Sequence, residues 1–167
     1  LGWDAAGVVR SVGAEVALFQ AGDAVFYAGS IARPGANSAL HCVDERIVGH
    51  KPNSLSFAEA AALPLTAITA WEMLFDRLGL PRKPAAAGTV LIVGGAGGVG
   101  SIAIQLARVL TGARVIATAS RPETREWCLK LGAHEVIDHH GDMAAQVKAL
   151  GVEGIERIFC TNGTDTH

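Results

Sequence analysis

The pattern of apolar residues divides the chain into two parts with different predicted secondary structure. In the first part, short apolar runs alternate with glycine and proline turns, which predicts closely spaced strands at 5–13, 24–27 and 39–43 in a small barrel or sandwich. In the second part, short apolar runs alternate with stretches of helical periodicity, which predicts a parallel sheet with right-handed crossovers. We therefore predict a β-rich domain over residues 1–62 and an α/β domain over residues 63–167.

The junction between the two parts is predicted to be helical. Ser56 followed by Glu59 has the spacing of a capping box and indicates a short helix over 57–63, which Pro64 ends. An amphipathic helix is expected over 66–78. The predicted α/β part then has this order: strand 90–93, helix 98–110, strand 114–118, helix 122–131, strand 135–138, helix 142–149 and strand 155–160.

A glycine pattern lies between the first strand and the first helix of the α/β part. Gly95, Gly97 and Gly100 fit G-x-G-x-x-G. Between a strand and a helix, the first glycine predicts a tight turn and the second a close approach of a pyrophosphate. The third predicts close packing of the helix on the strand. A glycine-rich turn that packs without a ligand is the alternative. The residues expected to hold the pyrophosphate of a dinucleotide at the helix N-terminus are Gly95, Gly97, Gly98, Val99 and Gly100.

The ends of two later strands offer further candidate ligand contacts. Ser120 and Arg121 stand where an acidic residue would bind the ribose hydroxyls of NAD, and a hydroxyl with a guanidinium instead suits a 2′-phosphate. The sequence therefore favours NADPH over NADH. Arg125, one turn further on, is interpreted as a solvated surface charge. Thr161 and Asn162 end the fourth strand at the carboxyl edge of the sheet, where they predict either a ligand contact or a plain turn.

Composition limits the function classes. Half of the 167 residues are apolar, the formal net charge is −2 and the pI is near 6.3, so neither nucleic acid nor an anionic membrane is an expected partner. No apolar run has transmembrane length, and no signal peptide is recognisable. The three cysteines are far apart, which favours reduced thiols and a cytoplasmic location. Because the chain lacks an initial Met and ends after a fourth strand, we expect an internal fragment of a longer enzyme.

Five stretches spread over the whole chain carry a family resemblance. They are Gly22-Asp23-Ala24-Val25, Asp44-Glu45-Arg46, the block AEAAALPLTAITAW at 58–71, the turn GGAGGVG, and Leu131-Gly132-Ala133. Together they resemble the medium-chain dehydrogenase/reductase superfamily and, within it, the zinc-type alcohol dehydrogenase-like and quinone oxidoreductase branch. The resemblance implies a partial, β-rich GroES-like catalytic domain followed by a partial Rossmann domain with a doubly wound parallel sheet, and a substrate site in the cleft between them.

The resemblance also implies hydride transfer between a nicotinamide cofactor and an alcohol, a quinone or an activated C=C bond. Zinc-dependent members carry a histidine where this chain has Trp3 and a cysteine where it has Leu65, and neither side chain here binds zinc. No run of four cysteines lies between Tyr27 and His41, so structural zinc is not expected either. Without a Lewis acid for an alkoxide, reduction of a quinone or an α,β-unsaturated carbonyl is favoured.

Two further residues have roles implied by the resemblance or by position. Thr66 matches the family position whose hydroxyl faces the cofactor, with a plain helix cap as the alternative. Tyr27 is the only tyrosine and the candidate catalytic acid, with a packed tyrosine as the alternative. Two groups of ligand-type residues are interpreted as solvated loop histidines and a buried thiol rather than metal sites: His41 with Cys42 and Asp44, and His134, His139 and His140 with Asp138 and Asp142.

The leading hypothesis is an NADPH-dependent, zinc-independent oxidoreductase that reduces a quinone or an enone as a homodimer. One alternative is a zinc-type alcohol dehydrogenase whose ligands lie outside this sequence. The other alternative is a non-catalytic NADPH-binding protein, since the motifs found are cofactor motifs.

Overall fold

The computed structural model describes residues 1–83 and 87–161 and divides the chain into two compact units. The first unit is Leu1–Thr66, and the second begins at Ala67. The division falls a few residues after the predicted domain boundary. Among the described residues, no helix is long and apolar enough to cross a membrane.

The first unit contains a three-stranded antiparallel sheet in the order β1-β2-β3. Its strands are β1 (Asp4–Val8), β2 (Ala24–Ala28) and β3 (Val48–His50). The strand predicted at 39–43 is wrong, because the edge of β2 that it would need is paired with β3 and because Leu40 is 64% exposed. A short 3₁₀ turn, Glu45–Ile47, leads instead into β3.

Two helices follow, α1 (Phe57–Ala61) and α2 (Pro64–Trp71). The predicted capping box is confirmed, since the Ser56 hydroxyl accepts from the Glu59 N–H at 3.2 Å and the Glu59 carboxylate accepts from the Ser56 N–H at 2.8 Å. α1 ends at Ala61, and Pro64 is the first residue of α2, a position where its missing N–H costs nothing. The single helix predicted over 66–78 is α2 followed by π-helical Glu72–Arg77.

The second unit is built on a four-stranded parallel sheet in the order β6-β5-β4-β7. This confirms the predicted α/β class and the order of elements. The strands are β4 (Thr89–Ile92), β5 (Arg114–Thr118), β6 (Glu135–Ile137) and β7 (Arg157–Phe159), and the helices are α3 (Gly98–Leu110), α4 (Pro122–Lys130) and α5 (Met143–Ala149).

The core explains why the run from Val90 to Val93, in β4 and just after it, is apolar throughout. Val90 and Ile92 pack in one buried cluster with residues of α3 and α4, whereas Leu91 and Val93 pack in a second cluster with residues of α5. Successive side chains of a strand point to opposite faces, so both faces of β4 are packed against helices. The carboxyl ends of β4, β5 and β6 consequently lie side by side at one edge.

Candidate cofactor-binding site

The motif predicts that Gly95 makes the tight turn after β4. In the structure it is Gly94, one residue earlier, that takes the turn conformation. Gly94 has a φ of +72°, in the left-handed region that favours glycine. Its N–H donates to the Thr118 hydroxyl at 2.9 Å, and the next N–H, of Gly95, donates to the Thr118 carbonyl at 3.0 Å. Both bonds tie the turn to the end of β5. Gly94 is therefore a site residue that the motif reading missed.

Gly95 and Gly100 are required by packing. A Cβ on Gly95 would lie 2.8 Å from the Ala117 Cβ and 3.0 Å from the Cys128 Sγ. A Cβ on Gly100 would overlap the Gly94 carbonyl oxygen and lie 2.9 Å from the Gly95 Cα. The third glycine thus lets α3 lie directly against the turn, and its predicted packing role is confirmed.

Gly97 is different, because a Cβ there would approach only the Gly94 carbonyl oxygen, at 3.3 Å. Its φ of −70° and ψ of 169° are open to other residues, so neither packing nor backbone conformation accounts for the glycine. Gly97 is the N-cap of α3 and supplies no side-chain cap. The N–H groups of the first helical turn, at Gly98, Val99 and Gly100, have no acceptor within the helix. This is a backbone cradle that fits a phosphate group.

A cavity of about 150 Å³ lies beside this cradle, at the adjacent ends of β4, β5 and β6. The side chains and backbone that line it include Ala96, Gly97, Ser120, Arg121, Thr124 and His139. The predicted phosphate-binding residues Ser120 and Arg121 thus come together with Gly97 in one cavity.

Arg121 is available to a ligand. It is exposed, and its guanidinium forms no hydrogen bond or ion pair with any residue that the structure describes. Arg125 is not available, because its guanidinium donates to the Ala119 carbonyl at 3.1 Å and to the Val136 carbonyl at 2.7 Å. The interpretation of Arg125 as a solvated charge is therefore wrong. It is a structural cation that holds α4 against β5 and β6.

His139 is not the solvated loop histidine that the sequence predicts. It follows β6, is half-buried and lines the cavity. Its Nδ1 is buried without a hydrogen-bond partner among the described residues. The ring of His140 lies beside it, with 4.2 Å between the ring centroids. Because the prediction treated the histidines as surface residues, it missed this cavity residue.

Tyr27 lies in the β-rich unit, where it is 8% exposed. Its hydroxyl is 2.7 Å from the His41 Nδ1, and the His41 Nε2 is 3.1 Å from the Pro34 carbonyl oxygen. Burial raises the pKa of the Tyr27 phenol above its ordinary value. A catalytic role for Tyr27 stays a prediction.

The other predicted residues are placed as follows. Thr66 is the third residue of α2, and its hydroxyl donates to the Leu63 carbonyl at 2.9 Å. An N-cap hydroxyl instead accepts a bond from a backbone N–H, so Thr66 does not form an N-cap bond. Thr161 is exposed and follows β7 at the carboxyl edge of the sheet. Asn162 lies outside the described residues. Contacts of Thr66 and Thr161 with a cofactor stay predictions.

The two positions that carry zinc ligands in the resembled family converge in the first unit. Asp4, next to Trp3, accepts a hydrogen bond from the Leu65 N–H at 2.7 Å. The local fold therefore brings the two positions close together, with an indole and an isobutyl side chain in place of ligands.

The ligand-type clusters do not assemble in the described part of the chain, where no three His, Cys, Asp or Glu side chains could hold a metal ion. His134 precedes β6 and His139 follows it, so the strand separates them. The His134 Nδ1 accepts a hydrogen bond from the Val115 N–H at 2.9 Å, and its Nε2 lies 2.7 Å from a guanidinium nitrogen of Arg108. Its neighbours thus indicate a structural role.

Comparisons with known proteins identify the family. The family described as zinc-binding dehydrogenase matches residues 98–166. A zinc-type alcohol dehydrogenase-like protein of Staphylococcus aureus is 48% identical over 100% of this chain and 50% of its own length. The chain belongs to the medium-chain dehydrogenase/reductase superfamily. It spans about half the length of the curated relatives that it matches.

Two solved structures of this superfamily are similar to the chain. One is a protein of Rhizobium etli whose assignment as a zinc-dependent alcohol dehydrogenase is provisional, with 62% identity and a TM-score of 0.93 over 99% of this chain and 49% of that one. The other is the quinone oxidoreductase of Escherichia coli in complex with NADPH, with 34% identity and a TM-score of 0.82 over 99% of this chain and 49% of that one. The predicted family and Rossmann fold are confirmed.

Proposed function

We propose that the protein to which this chain belongs is an NADPH-dependent, zinc-independent oxidoreductase that reduces a quinone or an α,β-unsaturated carbonyl. The observation that carries the proposal is the cavity at the ends of β4, β5 and β6, where an uncommitted Arg121 adjoins the open backbone at Gly97. When bound there, NADPH supplies the hydride, and the protein supplies binding and orientation.

Different residues are proposed to bind the pyrophosphate and the 2′-phosphate of the cofactor. The cradle at Gly97 and the start of α3 offers N–H groups and the positive end of a helix dipole, which suit the pyrophosphate. Ser120 and Arg121 offer a hydroxyl and a permanent cation, which suit a 2′-phosphate. α4 begins beside them without a side-chain cap, so its first N–H groups add to the positive potential.

Zinc independence is proposed from the residues at the two converging positions. Trp3 and Leu65 leave no zinc-binding side chain where the resembled enzymes have a histidine and a cysteine, and Asp4 is engaged with the Leu65 N–H. Quinones and enones are already polarised acceptors, so their reduction needs no Lewis acid to stabilise an alkoxide. The quinone oxidoreductase among the similar structures supports this acceptor class.

The test is NADPH oxidation by the full-length protein with an ortho-quinone or an enone, run with and without a strong zinc chelator and paired with metal analysis. Chelator-insensitive oxidation by a protein without stoichiometric zinc would support the proposal. Tightly held zinc with chelator-sensitive alcohol oxidation would overturn it in favour of the zinc-type alcohol dehydrogenase that two relatives' names suggest. Binding of NADPH with no turnover of any acceptor would favour a non-catalytic role.

A further inference from the structure

Arg125 links the proposed phosphate-binding residues to the sheet without lining the cavity itself. Its guanidinium donates to the Ala119 carbonyl at 3.1 Å and to the Val136 carbonyl at 2.7 Å. Ala119 immediately precedes Ser120 and Arg121, and Val136 lies within β6. Arg125 is therefore bonded to the peptide that leads into the phosphate-binding residues, and through β6 it anchors that peptide to the sheet.

The main chain of Arg125 holds the other end of the same segment. At the start of α4, the Arg125 N–H donates to the Arg121 carbonyl at 3.0 Å. The Thr124 hydroxyl donates to that carbonyl as well, at 2.8 Å. Ser120 and Arg121 thus lie between two carbonyls that Arg125 binds, one with its side chain and one with its backbone. A substitution at Arg125 removes only the side-chain bonds, so their effect can be measured alone.

The bond to Ala119 also fixes the direction of the next backbone N–H. The C=O and N–H of a trans peptide point in opposite directions, so the Ser120 N–H is directed away from Arg125. This N–H forms no hydrogen bond with any residue that the structure describes, and Ser120 lines the cavity. Loss of the guanidinium would leave the Ala119 carbonyl without this partner and free the peptide to rotate.

We propose that Arg125 is a positioning residue for the 2′-phosphate of NADPH, which holds Ser120 and Arg121 facing the cavity and does not itself touch the cofactor. The inference rests on the proposed use of NADPH. It makes the discrimination between NADPH and NADH depend on a cation outside the cavity. Arg125 forms no ion pair within the described part of the chain, so a direct effect of its charge is the alternative that the test has to separate.

The test compares binding of 2′,5′-ADP with binding of 5′-AMP by isothermal titration calorimetry on the full-length protein. Arg125→Met keeps an unbranched side chain and removes the guanidinium, so 2′,5′-ADP should bind about tenfold more weakly while 5′-AMP stays within about twofold. Arg125→Lys is the milder variant, because one ammonium replaces the two-nitrogen fork, and it should weaken 2′,5′-ADP about threefold.

Arg157→Met is the matched control. The Arg157 guanidinium also donates to a main-chain carbonyl, that of Leu78 at 2.9 Å, but Arg157 does not line the cavity or contact Ser120 and Arg121. Its replacement removes the same charge and the same kind of bond elsewhere in the fold. Binding of both nucleotides should therefore be unchanged in this variant.

A double-mutant cycle with Arg121→Met separates positioning from a direct effect of the Arg125 charge. If Arg125 acts through Arg121, then Arg125→Met should change the affinity for 2′,5′-ADP by less than about threefold once Arg121 is replaced. An equal loss with and without Arg121 would show that the Arg125 charge acts on the phosphate by itself, and it would overturn the positioning role.

The outcomes also separate this inference from the proposed function. A wild-type protein that binds both nucleotides equally would refute the use of NADPH itself. A wild type that prefers 2′,5′-ADP, with the preference unchanged in both Arg125 variants, would refute only the role of Arg125. Equal weakening of both nucleotides in Arg125→Met would show a general loss of structure and would also overturn the inference. Unfolded protein lowers the apparent affinity for both nucleotides alike, so destabilisation, measured by urea unfolding, does not change their ratio.

Discussion

Replacement of Gly97 by alanine tests the cradle directly, because the structure predicts little change in stability but a clear loss of cofactor binding. The backbone at Gly97 is accessible to alanine, and the only close contact of the new methyl is with the Gly94 carbonyl oxygen at 3.3 Å. A shift of a few tenths of an ångström relieves that contact. The methyl would, however, occupy the open side of the turn, where the pyrophosphate is expected.

The magnitudes follow from these contacts. Reduced freedom of the unfolded chain stabilises Gly97→Ala by about 0.4–1 kcal/mol, and the loss of a good N-cap residue costs a similar amount. The free energy of unfolding should therefore change by less than about 1 kcal/mol. A hydrogen bond to a charged group is worth about 1.5–3 kcal/mol, so loss of one N–H contact to the pyrophosphate weakens binding about tenfold or more.

Urea unfolding and calorimetric titration with both NADPH and NADH measure the two effects. Binding of both cofactors should weaken equally, because both carry the pyrophosphate. Gly154→Ala is the matched control, since a Cβ there meets nothing within 4 Å and Gly154 does not line the cavity. Wild-type affinity in Gly97→Ala would refute the pyrophosphate assignment, and destabilisation by more than about 2 kcal/mol would refute the described geometry.

Three further predictions concern individual residues. Arg121→Asp should weaken NADPH binding about 100-fold and leave NADH binding unchanged or improved, by titration, because it replaces the uncommitted cation with a like charge to the phosphate; equal affinities in mutant and wild type would refute the assignment. Gly100→Ala should destabilise the protein by about 2 kcal/mol in urea, because its methyl overlaps the Gly94 carbonyl, and unchanged stability would contradict this packing. Burial and Arg108 lower the pKa of His134, so protonation favours the unfolded state and stability should fall as the pH drops below about 6.5. In His134→Gln, the difference in the free energy of unfolding between pH 7.5 and pH 5.5 should be smaller than in the wild type. An unchanged difference would mean that other groups cause the loss of stability at low pH.

The α/β half was predictable because its sequence carries two unambiguous periodicities. β4 is buried on both faces, so its apolar run has no polar interruption, and α3 follows with helical spacing. The glycine motif also located the cradle. It did not show that Gly94 rather than Gly95 takes the positive φ, because consecutive glycines are equally able to adopt it and only the bonds to Thr118 decide.

Long-range contacts explain the other errors. The run at 39–43 has strand-like composition, yet β3 pairs with the edge of β2 that the run would need. The sequence predicts surface positions for both Arg125 and His139, since nothing in the local sequence reveals which element will pack beside them. The carbonyls that bind Arg125 belong to Ala119, directly after β5, and to Val136, within β6. The cavity beside His139 exists only once three strands are aligned.

The surroundings of Tyr27 also depend on a contact that the sequence does not reveal. Its hydrogen-bond partner, His41, lies in a loop for which the sequence pattern predicts a strand. The Pro34 carbonyl can only accept, so the His41 Nε2 carries the proton and donates to it. The Nδ1 of a neutral His41 is then an acceptor, and the Tyr27 hydroxyl donates to it. Before it could protonate a substrate, Tyr27 would have to break this bond, and burial, which raises its pKa, makes loss of the proton harder still. The geometry thus favours a packed, hydrogen-bonded tyrosine, and the proposed reduction is consistent with a quinone oxygen that takes its proton from water.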